Sequence, residues 1–386
     1  MFVSELEWRG LVHQVSSPKL VEEMAKGNIT LFAGFDPTAD SLHVGHLLPL
    51  VALKRAAMLG HHPIALIGGA TGLIGDPSGK SAERQLLARE TVQANVDAIT
   101  VQIKGLVPEA TVVNNADWFS QFNLLDFLRD VGKHFSVTAM LARDAVKSRL
   151  ESENGISFTE FTYILLQAFD FLHLNRTLGC KLQIGGSDQW GNISSGIDLI
   201  RRDGREAFGL TMPLITNASG EKFGKTVKGA VWLDAKKTSP HEMFQFFFNT
   251  PDADVCRFTR LFTFLPQEAI AELEEETASV PAQRIAQRAL AQQICQFVHG
   301  VDGQETAELH VELGNLLLDV LVAAKFCSSR NDARNQIKQG AVKLGGIVVT
   351  DIEKKLSVED FSSDSTRILS KGKKSRCKLF FQPKAI

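Results

Sequence analysis

The chain has 386 residues, 44% of them apolar and 22% charged, and a net charge of −2. That length and balance fit a globular protein of two or three domains with a real core, and exclude a disordered, collagen-like or uniformly basic chain. Basic residues are instead concentrated locally, with Lys371, Lys373, Lys374, Arg376 and Lys378 crowding the C-terminal end.

Residues 1–28 read as a helical lead-in, with Leu11, Val12, Val15, Leu20, Val21 and Met24 as its apolar side. Ile29, Leu31 and Phe32 form a short strand, followed by the turn Gly34-Phe35-Asp36-Pro37-Thr38 and by His43-Val44-Gly45-His46 at the start of a helix over Leu47 to Met58. Pro63 to Gly69 is a near-continuous apolar run, as in a parallel strand buried on both faces. A glycine-rich loop, Ala70 to Lys80, leads into a helix from about Ser81 to Lys104, and Thr111 to Asn115 is another strand. Ser157 to Leu174 is a long helix whose packed side is Phe158, Phe161, Ile164, Leu165, Ala168 and Phe169. Lys181 to Gly186 and Phe208 to Ile215 complete the strands. Strands alternating with helices predict an α/β, Rossmann-like, doubly wound parallel sheet with ligands at the carboxyl ends of its strands. From Ser239 the glycines thin out, and His241 to Val298 is mostly amphipathic helix with turns at Pro251 and Pro281. A last module begins near Leu316, giving an expected division into 1–235, 236–315 and 316–386.

Five cysteines, Cys180, Cys256, Cys295, Cys327 and Cys377, are odd in number, far apart and without metal-ligand spacing, so they read as reduced thiols of a cytoplasmic protein. No apolar run approaches the length of a membrane span, and Glu5, Glu7, Glu22 and Glu23 fall where a transit peptide avoids acids. Phenylalanine occurs 25 times and tyrosine once, at Tyr163.

The turn before Leu47 is suited to phosphate. Backbone N–H groups and the positive end of a helix meet there, and His43, His46 and the Thr38 hydroxyl can donate to oxygens that gain charge in a reaction. Gly45 leaves room for a flat base or sugar. In the glycine loop Asp76 can pair with an ammonium group, and Lys80 and Arg84 can meet pyrophosphate. Asp188, just after a strand end, suits ribose hydroxyls, with Gly186 and Gln189 beside it. Tyr163, Gln167 and Asp170 stand at i, i+4 and i+7 and point the same way. An acid among Phe158, Phe161 and Phe169 is costly to bury unless something donates to it, and a phenolic hydroxyl would do so. Lys222-Phe223-Gly224-Lys225-Thr226 sets two lysines around a glycine, a loop able to close on a triphosphate.

His43 to His46 resembles the HIGH signature of class I aminoacyl-tRNA synthetases, and Lys222 to Thr226 resembles their KMSKS motif. With Gly34 to Thr38 and Gly185 to Asn192, the chain from about Gly10 to Phe262 is similar to bacterial-type tyrosyl-tRNA synthetases. The resemblance implies a tyrosine–tRNA ligase that joins L-tyrosine to ATP and passes it to tRNA(Tyr), a homodimer, Mg²⁺ accompanying ATP, and a cytoplasmic location. It implies that Thr38, His43, His46, Lys222, Lys225 and Thr226 stabilise the reacting phosphates. Gly34, Asp36, Gly45, Lys80, Arg84, Gly186, Asp188 and Gln189 would hold ATP or the adenylate. Asp76, Tyr163 and Gln167 would hold the amino end of the substrate, and Asp170 its hydroxyl. The family places a tyrosine at Phe32, whose hydroxyl also bonds the substrate, so Phe32 implies a narrower margin for tyrosine. The path from Val298 to the last module is shorter than the family's helical tRNA-contacting domain. That module, with Arg330, Arg334, Lys338 and Lys343 as its RNA-gripping bases, resembles a small α+β S4 domain. A paralogue activating another aromatic amino acid or a tyrosine analogue, and a non-catalytic RNA-binding protein on the same scaffold, are the competing readings.

Overall fold

A computed structural model describes residues 2–78, 86–151, 155–216, 223–226, 229–303, 307–362, 365–372 and 375–381. It contains two units, Met1–Val301 and Asp302–Ile386. The first is built on a six-stranded sheet of β1 (Gln14–Val15), β2 (Thr30–Phe35), β3 (His62–Ile67), β4 (Thr111–Asn114), β5 (Cys180–Gly186) and β6 (Phe208–Met212). The strand order is β1-β6-β5-β2-β3-β4, parallel throughout except for β1 against β6. From β2 the chain runs outward through β3 and β4, then returns to lay β5 on the other side of β2. That reversal opens a crevice at the carboxyl ends of β2, β3 and β5.

Alternation along the strands sends side chains to two cores. Leu31, Ala33, Phe35, Ala65 and Ile67 face one side, packed with residues of α2 (Leu47–Met58) and α3 (Arg89–Leu106); α1 (Phe2–Trp8) joins the same core. Phe32, Ile64 and Leu66 face the other, covered by α4 (Phe158–Leu178) and α5 (Trp190–Arg202). Helix α4 starts where the Ser157 hydroxyl accepts from the Glu160 N–H and ends at Gly179, whose φ of +63° gives the left-handed C-terminal cap.

Several boundaries differ from the sequence reading. The lead-in is not one helix: α1 and a helix over Lys19–Ala25 flank β1, a two-residue edge strand whose pairing is imposed by β6. The helix expected from Ser81 starts at Arg89, after an extended Ala88. Strand β6 stops at Met212 because Pro213 has no N–H to donate. Phe158, expected on the packed side of α4, is 77% exposed.

Four helices follow in the first unit: α6 (Pro240–Phe248), α7 (Asp252–Phe262), α8 (Gln267–Ser279) and α9 (Ile285–His299). Helix α6 opens with a capping box between Ser239 and Glu242 and with Pro240 in its first turn, where a missing N–H costs nothing. A short antiparallel pair of strands, β7 (Lys225–Thr226) and β8 (Gly229–Ala230), precedes them.

The second unit packs α10 (Leu317–Ala323) and α11 (Arg330–Lys338) with a sheet of order β11-β10-β12-β13-β9. These strands are β9 (Ala307–Val311), β10 (Val342–Leu344), β11 (Ile347–Val348), β12 (Thr366–Lys371) and β13 (Ser375–Phe381). Gly345 and Gly346, at φ of +59° and +85°, make the tight turn between β10 and β11.

Candidate active site

A cavity of about 300 Å³ opens at the reversal point of the sheet. Phe32, Gly34, Asp36 and Thr38 reach it from β2 and its following turn; Asp76 and Ser78 come from the glycine loop. Tyr163, Gln167 and Asp170 reach it from α4, as their helical spacing requires, and Gly186, Asp188 and Gln189 from the end of β5.

At its deep end Asp170 is 2% exposed. Its two carboxylate oxygens accept from Asn115 Nδ2 (3.0 Å) and Trp118 Nε1 (2.9 Å). Burial nevertheless dominates and pushes its pKa up to about 8. Asn115 is fully used: Nδ2 also donates to Thr71 Oγ1 (3.0 Å), and its Oδ1 accepts from the Ala70 N–H (2.7 Å). Phe32 is wholly buried beside this end, edge-on to Phe171 at 5.1 Å, and its cross-strand partner on β5 is Gln183.

A second network lies nearer the mouth. Tyr163 donates its hydroxyl to Asp36 (3.0 Å), and Thr71 donates to the other oxygen of Asp36 (2.9 Å). Burial first, then the charges of Asp36, Asp76 and Asp170, hold the Tyr163 phenol protonated far above its ordinary range. Gln189 donates to Asp76 (2.7 Å) and accepts from Gln167 (3.2 Å), while Asn192 donates to Gln167 (2.9 Å). Asp36 and Asp76 thus face the outer part of one small space, an arrangement that favours an ammonium group there.

The His43–His46 segment forms a 3₁₀ turn ahead of α2 rather than the first turn of the helix itself. His43 Nδ1 accepts from the Gly45 N–H (3.0 Å), and His46 Nδ1 accepts from the His43 N–H (3.2 Å). Accepting at Nδ1 places each neutral ring's proton on Nε2, the donor tautomer. The two rings lie 4.1 Å apart, and His46 lines the cavity.

The segment after the second signature runs along this turn. The Val44 N–H donates to the Val231 carbonyl (2.9 Å), and the Leu233 N–H to the Leu42 carbonyl (2.8 Å). Gly224, at φ of +95°, sits so close that a Cβ there would lie 2.7 Å from Val44 Cγ2. Two motifs about 180 residues apart in the chain are therefore backbone neighbours. Lys80, Arg84 and Lys222 lie outside the described residues; Lys225 and Thr226 are described through their backbone, paired in β7. In the second unit Arg330, Arg334, Lys338 and Lys343 are exposed, the first paired with Asp319.

Asn115, Trp118, Thr71, Ser78, Asn192 and Gln183 belong to the site and were not among the residues singled out by sequence. The placement of Asn115 just past the end of a strand was the one available signal, since ligands gather at strand carboxyl ends.

The family model described as "tRNA synthetases class I (W and Y)" matches residues 24–313, and "Tyrosine--tRNA ligase SYY-like C-terminal domain" matches 296–379. The chain is 47% identical to a tyrosine–tRNA ligase of Staphylococcus haemolyticus over 410 aligned positions, which cover 96% of this chain and 97% of that one. It is 48% identical to an Escherichia coli tyrosine–tRNA ligase over 413 positions, 97% of each chain. Both alignments run over more positions than the 386 residues present here, so the chain is shorter than these relatives within the matched span. Among solved structures, a C-terminally truncated mitochondrial tyrosyl-tRNA synthetase of Aspergillus nidulans superposes with a TM-score of 0.71 at 36% identity, covering 78% of this chain and 91% of that one.

Proposed function

Since the chain belongs to the tyrosine–tRNA ligase family of class I tRNA synthetases, we propose that the cavity around Asp170 is where L-tyrosine meets ATP. Its activity is that of a tyrosine–tRNA ligase, with ATP as substrate and tRNA as acceptor. The observation that carries the substrate reading is Asp170: a buried carboxylate, clamped by Asn115 and Trp118, at the closed end of an aromatic slot. A phenolic hydroxyl entering there finds a carboxylate that accepts from it once Asp170 is ionised; a phenylalanine ring leaves that acceptor without a donor from the substrate.

The substrate's ammonium group lies among Asp76, Tyr163 and Gln167, with Asp76 supplying the opposite charge. Its carboxylate oxygen attacks the α-phosphorus of ATP, the bond from that phosphorus to the bridging oxygen breaks, and pyrophosphate leaves. Thr38, His43 and His46, through Nε2, with Lys222, Lys225 and Thr226, donate to phosphate oxygens as charge builds. Gly34, Asp36, Gly45, Lys80, Arg84, Gly186, Asp188 and Gln189 hold the nucleotide. A ribose hydroxyl at the 3′ end of tRNA(Tyr) then attacks the tyrosyl carbonyl, and AMP leaves. Positioning and charge stabilisation carry both steps, with no side-chain nucleophile. Mg²⁺ enters on ATP as part of that substrate.

The division of labour proposed is catalysis in 1–235, tRNA contact by the helices of 236–315, and RNA binding by 316–386, with β9 lent to the last sheet by the segment before it. Arg330, Arg334 and Lys338 are spaced four apart on α11, and with Lys343 they would grip phosphates. A cytoplasmic homodimer fits the chain: Phe122, Leu124, Leu125, Leu128, Val137, Leu141, Leu150 and Phe158 are exposed within one stretch of sequence, apolar side chains that a second copy would cover. No helix among the described residues is long and apolar enough to cross a membrane.

The test is amino-acid-dependent exchange of pyrophosphate into ATP, run across the standard amino acids. Strongest exchange with tyrosine is expected. Strongest exchange with another aromatic would overturn the substrate assignment, and no exchange with any would overturn the catalytic one.

A further inference from the structure

Helix α2 begins at the His46 end of the phosphate-binding turn and runs for twelve residues, roughly 18 Å, to a last turn that carries Arg55. Arg55 is only 3% exposed. Its Nη2 donates to the carbonyls of Thr263 (2.5 Å) and Arg260 (3.2 Å), at the C-terminal end of α7. A cation is suited to those carbonyls, which form the negative end of the helix dipole.

Arg9 already serves the same two oxygens, with Nη1 at 3.1 and 3.0 Å, and Glu5 beside it balances its charge. Arg55 makes no direct ion pair among the described residues, and Glu5 offsets its charge only through space. Its Nε and Nη1 are buried without a hydrogen-bond partner among the described residues, the guanidinium lies over the Phe264 ring (5.6 Å to its centroid), and burial together with the neighbouring Arg9 pulls its pKa down to about 9. A buried cation that merely repeats an existing cap is a costly redundancy. What distinguishes Arg55 is its seat on the helix that carries the histidine turn.

Helix α7 also touches the other signature. Phe223 of the Lys222–Thr226 loop packs on Phe258 (ring centroids 4.8 Å) and stacks on Phe262 (5.4 Å), both on α7. One helix therefore holds both phosphate-binding segments, through arginine on one side and aromatic rings on the other. We propose that Arg55 is a positioning residue: its bonds to the end of α7 set the His43–His46 turn in register with the loop that Phe223 anchors on the same helix. This rests on the reading of those two segments as the ATP site.

The experiment compares Arg55→Met with Arg9→Met by pyrophosphate exchange, with rates expressed per active site from adenylate titration, and by thermal melting. Arg55→Met should lower kcat at least about tenfold and raise the KM for ATP, leaving the tyrosine KM within about twofold, because the amino-acid end of the cavity is set by α4 and the sheet. Arg9→Met should lower the melting temperature yet keep kcat per active site. Wild-type kcat and ATP KM in Arg55→Met, or the same kinetic defect in Arg9→Met, would overturn the proposal. Should Arg55→Met not fold, Arg55→Lys keeps the charge but loses the forked geometry; it should still raise the ATP KM, and unchanged kinetics would overturn the proposal equally. Absence of exchange in the unaltered protein would instead overturn the functional reading.

Discussion

Placing a hydroxyl at Phe32 tests the substrate pocket at a position where the resemblance to the family implies a tyrosine. Phe32 is fully buried, lines the cavity with Asp170, and rests edge-on against Phe171. A phenylalanine there leaves Asp170 to select the substrate hydroxyl, through a charge-assisted bond that, with Asp170 ionised above about pH 8, gives about 1.5–3 kcal/mol, or roughly 13- to 160-fold in favour of tyrosine over phenylalanine. Phe32→Tyr adds a neutral hydrogen bond to the same hydroxyl, about 0.5–1.5 kcal/mol, and should raise that preference by roughly two- to thirteenfold. The ring need not move, so the melting temperature should change little. The assay is pyrophosphate exchange with each amino acid, comparing the ratio of kcat/KM values. An unchanged or lower ratio in a variant that melts normally would refute the reasoning, because it would mean that the hydroxyl end of the substrate does not lie beside Phe32.

Asp170→Asn puts an amide where both Asn115 and Trp118 donate, so one donor must face an NH₂ group; the kcat/KM for tyrosine should fall at least about tenfold while that for phenylalanine barely moves. Burial raises Asp170 from 3.8 to about 8, above its unfolded value. The stability it contributes is therefore full below about pH 4 and lost as pH rises through about 8, so the ligand-free enzyme should melt lower across that window, and Asp170→Asn should flatten the trend. Conversely the tyrosine hydroxyl needs the ionised acceptor: its KM should fall between about pH 6.5 and 8.5 and then level off, whereas a flat profile would count against Asp170 as the partner. Gly224→Ala adds a Cβ 2.7 Å from Val44 at a φ of +95°, and should lower the exchange kcat by one to two orders of magnitude with the tyrosine KM unchanged. Leu125→Arg, at a side chain 74% exposed, should weaken the proposed dimer, read as a shift toward monomer in sedimentation; a dimer that survives it would place the interface elsewhere.

The parts of the site legible in the sequence were those set by local geometry. Tyr163, Gln167 and Asp170 share a face because 3.6 residues make a turn, and the histidine turn could be placed because a strand precedes it and an apolar helix follows it. Asn115 and Trp118 were not legible. Their role depends on β4 lying beside β3 and on α4 crossing above, contacts between residues 52 and 55 positions apart that no periodicity encodes. Phe158 shows the opposite error. Helical spacing marks a side chain as apolar-facing without saying whether its partner is the chain's own core or another surface. The strands of the sheet were legible as apolar runs except β1, which is two residues long and paired only because β6 offers an open edge.

Tyr163 is the only tyrosine in the chain, and its hydroxyl has a definite task at Asp36. A ribosome making this protein consequently waits for tyrosyl-tRNA at a single codon. When the charged tRNA runs short, elongation of the enzyme that replenishes it has one place to stall. The same economy serves the spectroscopist: enzyme grown on isotope-labelled tyrosine carries one labelled phenol, at the mouth of the cavity, and needs no assignment.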